Sequence, residues 1–419
     1  MNNKSGEAPN TQQTKHQPIW MRKEVLSLLA IALLCGLAVS VMNIAVMPVY
    51  LRYQRGFSEG MTGLVIMSFL LSEAIFKGYM GHLSDKRGRR IMLILAPLIW
   101  TFTPIATLLV PSEWGGGAIV AMIGLRILDG VSAAMLWPSA YAAVADVVKE
   151  NERASSLSLL NVCFMMGLAL GFPVAGTMKA ISSNYGAGLY ASALLFLSAA
   201  IVAFFLKVQI IDSHKNDNSG QDYHLKDLWS CAKRVPLMFV TAFVTFLGVG
   251  FPMVSLQWFA KDEFGLPQEK FGLLVLPAGI AMAIMSFPLG SLGEKVGRTK
   301  AVKMGLLFCS IGIWMIALGA FFPIFKFVLF LLFGAILVGV GFLLAIPSWY
   351  ATVSRIDPAR SGSYLGAIMT VQGIGAIIGL GVGSKLYEAG NYAPMIACGT
   401  AVLFGFLLSL PALERANSS

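Results

Sequence analysis

The chain has 419 residues, of which 57% are hydrophobic and 12% are charged, and its formal net charge is +10. Soluble domains carry charge on about 25% of their residues, so the composition excludes an ordinary soluble protein. The cations lie in short loops between apolar blocks, which favours a role in membrane orientation over nucleic-acid binding.

The apolar blocks are about 20 residues long, enough for a helix to cross about 30 Å of hydrocarbon. Lipid offers no partner to backbone groups, so such blocks fold as helices. The short alternating segments of a β-barrel are not found. We predict an all-α membrane protein with twelve transmembrane helices, at 25–50, 60–80, 90–111, 117–141, 155–180, 187–207, 236–258, 269–289, 301–323, 327–352, 363–386 and 392–412.

The remaining segments are polar. Residues 1–24 and 413–419 are predicted tails, and residues 208–235 are a predicted linker between two six-helix bundles, 25–207 and 236–412. With the amino terminus inside, most of the 31 Lys and Arg fall on the cytoplasmic side. The positive-inside rule therefore places both tails and the linker in the cytoplasm. The five Cys are scattered and predict no disulfide and no metal site.

Two charged pairs interrupt the apolar runs: Glu73 and Lys77 on helix two, and Arg126 and Asp129 on helix four. A buried Arg is costly unless it is paired, and Glu73 and Asp129 fall at a similar depth at 1.5 Å per residue. We therefore predict one cluster of four charges. Its functional interpretation is proton coupling, with Glu73 or Asp129 as carrier. The alternative is an ionic network that fixes helix packing.

A charged hairpin, residues 81–90, separates helices two and three. Gly81 is expected to allow close helix approach, Gly88 to supply a tight turn, and Asp85 to place a carboxylate at a helix end. A second copy follows 209 residues later, with Glu294 where the first has Asp85 and with Arg298 where the first has Arg89.

The offset of 209 recurs elsewhere, as between Gly56 and Gly265 and between Gly63 and Gly272. Such a parallel repeat predicts that substrate binds near the membrane midplane between two halves, which rock to expose it to each side in turn. The halves differ in one respect, because Arg355 stands where the first half has Asp146.

The hairpin resembles the loop between helices two and three of the major facilitator superfamily, G-x-L-(S/A)-D-(R/K)-x-G-R-(R/K), and matches each position. The resemblance covers about residues 25–412 and implies the major facilitator fold, two pseudo-symmetric six-helix bundles. It also implies a cytoplasmic gate in which Asp85 contacts the start of helix eleven at 361–363 and Arg89 pairs with Asp146. Glu294 is expected to cap the start of helix five near 155–156. The gate residues are Gly81, Asp85, Gly88, Arg89, Asp146, Glu294 and Arg298.

Helix five resembles the antiporter motif G-x(3)-G-P-x(2)-G-G of exporters in the superfamily, through Gly167, Gly171, Pro173 and Gly176. The match is partial, because Phe172 precedes the proline and the final double glycine is single. The alternative is plain helix packing, as at 375–379 in helix eleven. On helix four, Arg126 with a glycine four residues later resembles the motif of proton-coupled members.

Few polar and aromatic residues lie on the helices that are expected to line the cavity. For each of them, the alternative to substrate contact is a role in packing. Amides and indoles in an apolar cavity suit a lipophilic or amphipathic substrate better than a sugar. The candidates are Asn43, Trp137, Asn161, Gln257, Trp258, Trp349 and Gln372. No catalytic constellation or nucleotide motif appears, so we expect neither an enzyme nor a cofactor.

These features predict a secondary active transporter, a monomer of the bacterial inner membrane, which exports lipophilic or amphipathic small molecules by alternating access. The coupling ion is expected to be the proton, or else another cation. An importer or a lipid translocator on the same scaffold is the first alternative. A non-transporting membrane sensor is the second.

Overall fold

The structure, a computed structural model, describes residues 22–206, 233, 236–276, 285, 289, 295–353 and 361–418. This part is almost entirely helical and contains no β-strand. The first half of the chain forms α1 (Lys23–Gln54), α2 (Glu59–Arg87), α3 (Arg89–Leu109), α4 (Gly116–Val147), α5 (Glu150–Ser182) and α6 (Ala187–Phe205). The second half forms α7a (Pro236–Gly250), α7b (Leu256–Phe264), α8 (268–276), α9 (Arg298–Ala317), α10 (Val328–Val353), α11 (Ser361–Ala389) and α12 (Ala393–Ser418).

Ten helices in the described part are long and apolar enough to cross a membrane, and their most apolar windows have mean hydropathy between 1.4 and 2.8. The seventh predicted crossing is divided, because α7a ends at Gly250 and α7b begins at Leu256. The eighth is described at 268–276, at 285 and at 289. The linker lies outside the described residues except for Lys233. The all-helical membrane fold is thus confirmed.

Two glycines with the same backbone conformation end α2 and precede α9. Gly88 has φ 97° and ψ 132°, and Gly297, 209 residues later, has φ 97° and ψ 129°. This region is accessible almost only to glycine. The α7b end repeats the α1 end in the same way, with φ of 68° at Gly56 and 61° at Gly265. The repeat seen in the sequence therefore has a counterpart in the backbone.

Each half is held together by close helix crossings. In the first half α2 packs on α4, and α1 packs on α5 and α6; in the second half α9 packs on α10, and α7a packs on α11 and α12. Many large apolar side chains on the outer surface remain exposed, as expected where lipid is the solvent.

The helix bundle has two ends, which we call the hairpin face and the Arg52 face. The hairpin face carries Gly88 and Gly297, and the Arg52 face lies opposite. The hydrogen bonds and ion pairs described between the halves lie toward the Arg52 face, such as that from Gly60 N–H to Glu388 Oε1 at 2.9 Å. There Trp258, Tyr387 and other second-half residues share one apolar core with the first half. The halves are therefore packed together at the Arg52 face.

Candidate functional site

A buried ion pair lies on α4. Arg126 Nη1 is 2.7 Å from Asp129 Oδ2, and both side chains have 0% exposure. The residues share a helix face because they are three apart. A single charge at the centre of a membrane costs about 3 kcal/mol on insertion scales. Each of the two groups is therefore stabilised in the core by the opposite charge of the other.

Neutral polar groups from two other helices complete this site. Arg126 Nη1 donates to Asn43 Oδ1 on α1 at 2.9 Å, and Arg126 Nη2 donates to Thr107 Oγ1 on α3 at 2.9 Å. Thr103 Oγ1 donates to Asp129 Oδ1. These hydrogen bonds connect the ion pair on α4 to α1 and α3. The two threonines, four apart in an apolar run, are the sequence signal that was missed.

Glu73 and Lys77 form a separate pair on α2. Lys77 Nζ lies 2.9 Å from Glu73 Oε1, and the Lys77 side chain is 51% exposed. In the residues that the structure describes, no ion pair joins them to Arg126 or Asp129. The predicted cluster of four charges is thus corrected to two pairs. The reason is direction: the α2–α4 crossing brings the helices together at Gly130, but Asp129 reaches toward α3.

The charged hairpin is a turn of one residue. The α2 helix continues to Arg87 and α3 begins at Arg89, so only Gly88 leaves the helical conformation. Among the residues that the structure describes, a Cβ at Gly81 would meet Pro138, at an ordinary 3.7 Å. The described neighbours therefore do not require a glycine here, and the close crossing expected at Gly81 stays a prediction. The side chain of Asp85 and those at the start of α11 lie outside the described part.

The Arg89 guanidinium pairs with the Asp146 carboxylate at the end of α4, and both side chains are partly exposed. The pair joins α3 to α4 within the first half. In the second copy of the hairpin, Arg298 begins α9 directly after Gly297. Glu294 lies outside the described residues.

Gly167 and Gly171 form the crossing of α5 with α1. A Cβ at Gly167 would lie 2.5 Å from Leu33 O, and one at Gly171 would lie 2.2 Å from Ser40 Oγ. Neither position has room for a side chain. Ser40 Oγ also donates to Leu168 O at 2.7 Å, which adds a hydrogen bond to the crossing.

The second half has a crossing of the same kind between α11 and α7a. A Cβ at Gly375 would lie 2.6 Å from Phe243 O, and one at Gly379 would lie 2.1 Å from Leu247 O. The antiporter-like motif of α5 differs from the α11 crossing in its last part, at Pro173 and Gly176. Pro173 lies inside α5, and Gly176 faces the other half, where a Cβ would be 3.1 Å from Gln268 O on α8.

Two of the predicted cavity residues, Gln257 and Trp258, are buried between the halves. Gln257 Nε2 donates to Ile44 O at 2.7 Å, and Trp258 Nε1 donates to Pro48 O at 2.9 Å. In this conformation they join α7b to α1 and do not line an open cavity. Asn43, a third candidate, is a partner of Arg126.

The other four cavity candidates lie nearer the hairpin face. Trp137 packs on Phe164, with ring centroids 4.3 Å apart, and the exposed Asn161 accepts a hydrogen bond from Tyr141 Oη at 3.4 Å. Trp349 and Gln372 help to line a small, largely apolar pocket in the second half. Trp349 Nε1 is buried there, and no hydrogen-bond partner for it lies in the part of the chain that the structure describes.

The Arg52 face holds a charged network that we did not predict. Arg52 Nη2 is 3.0 Å from Glu59 Oε1 and 3.1 Å from Asp262 Oδ2. The same carboxylate accepts hydrogen bonds from Tyr53 Oη at 3.1 Å and Tyr387 Oη at 2.9 Å. The network joins α1, α7b and α11 across the two halves.

Comparison with known families agrees with this architecture. The family model described as Major Facilitator Superfamily matches residues 28–380, and matches again at residues 238–418. The chain belongs to the Major Facilitator Superfamily. The second match covers the second half by itself.

Curated relatives in the superfamily span most of this chain. Multidrug resistance protein 2 of Bacillus subtilis is 24% identical over 90% of this chain and 92% of its own length. The multi-drug resistance efflux pump PmrA of Streptococcus pneumoniae is 27% identical over 82% and 85%. The class C tetracycline resistance protein of Escherichia coli is 24% identical over 84% and 86%.

Solved structures of superfamily members share the fold. The nucleoside transporter NupG has a TM-score of 0.74 at 12% identity, covering 94% of this chain and 99% of its own. The xylose transporter XylE from E. coli, in a partially occluded inward open conformation, has a TM-score of 0.70 at 12% identity, covering 92% and 96%. The chain is therefore a Major Facilitator Superfamily transporter, an integral membrane protein that acts on small molecules.

Proposed function

We propose that this transporter is a proton-coupled exporter of lipophilic or amphipathic small molecules. The observation that carries the proposal is the Arg126–Asp129 pair, which has 0% exposure and sits among neutral partners. A fully buried ionisable group in a membrane core favours a functional role. Asp129 is the proton carrier, and Arg126 is the counter-charge that the carboxylate holds when it is ionised.

The proton step follows from the geometry. Protonation of Asp129 removes the charge that attracts Arg126, and the guanidinium then relies on Asn43 and Thr107, both 2.9 Å away. Loss of the proton restores the ion pair. The two protonation states therefore favour different positions of α4 relative to α1 and α3, which is the differential interaction that coupling requires.

Two features support export of an apolar substrate. Relatives that span 82–90% of this chain carry the names of multidrug resistance proteins and an efflux pump. The pocket beside Trp349 is lined mainly by apolar side chains, with few polar groups to select a sugar. Trp137, Asn161 and Gln372 are the further contacts that we propose for the substrate.

The hairpin face is proposed to be cytoplasmic, because most of the Lys and Arg outside the apolar runs lie on its side. Both tails and the linker at 208–235 would share that side, between bundles at 25–207 and 236–412. The packed Arg52 face is then external, and the conformation is inward-facing. The working unit is proposed to be a monomer.

The Arg89–Asp146 pair is proposed to orient the hairpin so that Asp85 and Glu294 close the cytoplasmic side in the outward-facing state. The Glu73–Lys77 pair is proposed to fix packing on α2, because its lysine is half exposed and is not joined to Arg126. Gly176, which faces α8, is proposed to link the antiporter-like motif to closure of the external side.

The test uses inside-out vesicles with an acidic lumen and a lipophilic fluorescent dye. Export requires that the dye accumulate in the lumen and that a protonophore abolish the accumulation. Dye uptake into intact cells would identify an importer, and movement of a labelled phospholipid would identify a lipid translocator. Accumulation that follows a sodium gradient and ignores the protonophore would replace the proton with another cation.

A further inference from the structure

The middle of α1 departs from regular α-helix. Residues Ser40–Val46 form a π-helical turn, in which Met47 N–H donates to Met42 O, five residues earlier. Pro48 follows and has no N–H to give to Ile44 O, the carbonyl four residues before it. Such π turns occur often at functional sites. Backbone carbonyls of this segment can therefore accept hydrogen bonds from donors outside the helix.

Side chains of the second half supply those donors. Gln257 Nε2 donates to Ile44 O at 2.7 Å, and Gln268 Nε2 donates to Ala45 O at 2.9 Å. The two amides are 6% and 7% exposed. Their Oε1 atoms are buried and have no hydrogen-bond partner among the described residues. A carbonyl can only accept, so these contacts fix the amide nitrogens against α1.

The same segment holds a contact of the buried ion pair. Asn43, the residue before Ile44, accepts from Arg126 Nη1 at 2.9 Å. Three consecutive residues of α1 thus connect the interface between the halves to the Arg126–Asp129 site. Gly176 completes the arrangement, because its missing side chain lets α8 approach α5 beside Gln268.

Separation of the halves at the Arg52 face removes both amide donors from α1. Unpaired carbonyls are costly in a membrane core. A return to regular α-helix relieves Ala45 O, which then accepts from the N–H of Val49, four residues later, whereas Ile44 O faces Pro48 and gains no donor. When a π turn becomes regular α-helix, one residue is lost from the turn, and the part of the helix beyond it rotates by about 100°, the angle per residue of an α-helix. That rotation moves Asn43 away from Arg126.

We propose that Gln257 and Gln268 are positioning residues, which hold Asn43 on Arg126 only while the Arg52 face is closed. This inference rests on the proposed role of Asp129. By reciprocity of linked equilibria, protonation of Asp129, which leaves Arg126 to Asn43, then favours the closed Arg52 face. The amides therefore transmit the protonation state of α4 to the external side.

The charged groups around Asp129 are limited in the described part of the chain. Arg126 pairs with it directly. Glu73 and Lys77, on the facing helix α2, pair with each other. The α3 helix contributes the hydroxyls of Thr103 and Thr107 and the Trp100 indole, and α1 contributes the neutral Asn43.

The test measures the width of the Arg52 face directly. Spin labels at Glu113→Cys and Phe321→Cys, both exposed positions on this face, report the distance between the halves in alkaline and acidic buffer. Cys163 and Cys231 are replaced by Ser. We expect acid to shift the wild-type protein toward the shorter distance. The Gln257→Leu/Gln268→Leu variant should favour the longer distance and lose the response to acid.

Gln54→Leu is the matched control, because Gln54 Oε1 accepts from Gly186 N–H within the first half, at 3.1 Å. It should behave as wild type. Gln257→Met and Gln268→Met keep a side chain of similar length and remove the amide donor without adding a titratable group, so they serve if the leucine variant fails to fold.

The outcomes separate the two proposals. A wild-type distance that does not change with pH would overturn the role of Asp129 and the transmission of its charge state. The effect of the two amides on closure would still be measured, by comparing the distance in the wild type with that in the leucine variant. A folded variant that lacks both donors yet keeps the wild-type distance and response would overturn the positioning role alone.

Discussion

Tyr53 Oη donates a hydrogen bond to Asp262 Oδ1 at 3.1 Å, and the two residues are 209 positions apart, the offset of the internal repeat. Equivalent positions of a two-fold repeat meet only near its axis. The α1 end and the α7b end are therefore close to the axis at the Arg52 face. The network of Arg52 with Asp262 closes the bundle at that point.

Loss of the Asp262 charge should loosen this closure. In Asp262→Asn, Arg52 keeps Glu59 at 3.0 Å but loses its ion pair across the halves. A partly exposed pair of this kind contributes about 0–1 kcal/mol, so the open fraction should rise by up to about fivefold. The readout is alkylation of Ser384→Cys, a residue packed on Gly63, by an impermeant maleimide.

Glu113→Gln is the control for that measurement. It removes an acid from the same face, and no ion pair is described for Glu113. Equal alkylation rates in Asp262→Asn and the parent would show that the network does not hold the halves together.

Gly88 should be intolerant of a side chain because of its backbone conformation. No described atom lies within 4 Å of a Cβ placed on Gly78 in α2, whereas φ is positive at Gly88. Gly88→Ala should lower stability by about 1–3 kcal/mol, whereas Gly78→Ala should raise it by about 0.5–1 kcal/mol. Thermal unfolding in detergent measures both. Similar melting temperatures for the two variants would argue against the one-residue turn.

Alanine variants of the glycines in α5 and α11 distinguish a role in antiport from a role in helix packing. A Cβ would lie 2.2 Å from Ser40 Oγ at Gly171 and 2.1 Å from Leu247 O at Gly379, so both alanine variants should melt earlier than the parent. The antiport hypothesis predicts that only Gly171→Ala also leaks protons without substrate. A pH-sensitive dye in proteoliposomes records the leak, and equal leaks in the two variants would favour packing.

Glu73→Gln should preserve gradient-driven transport. Its partner Lys77 is 51% exposed, and the pair is separate from Arg126 and Asp129 in the described structure. Removal of the carboxylate should therefore change helix packing slightly and leave the driving force intact. Dye accumulation in inside-out vesicles is the measurement. A complete loss of accumulation in a folded variant would make Glu73 the carrier.

The sequence was sufficient for features set by local chemistry. In the described part, helix positions followed from apolar length, except that the seventh predicted crossing is divided between Gly250 and Leu256. The turn at Gly88 followed from the properties of glycine. The Arg89–Asp146 contact was implied by family resemblance and lies where the motif places it.

Features that depend on side-chain direction across helices were not predictable in the same way. Depth along α2 and α4 correctly brought Glu73 near Asp129, but depth does not state which way a carboxylate points. The partners of Arg126 come from three helices. The Arg52–Asp262 contact was missed because Arg52 was treated as one external cation, although the repeat offset relates its neighbour Tyr53 to Asp262.

The most direct test of the central claim is proton exchange by Asp129→Asn in proteoliposomes. Substrate added to the wild-type protein should move protons in the opposite direction, seen with a pH-sensitive dye in the lumen. Asp129→Asn keeps the size of the side chain and should still bind substrate, as a thermal shift would show, but should move no protons. Substrate-driven proton movement at the wild-type rate in Asp129→Asn would contradict the account.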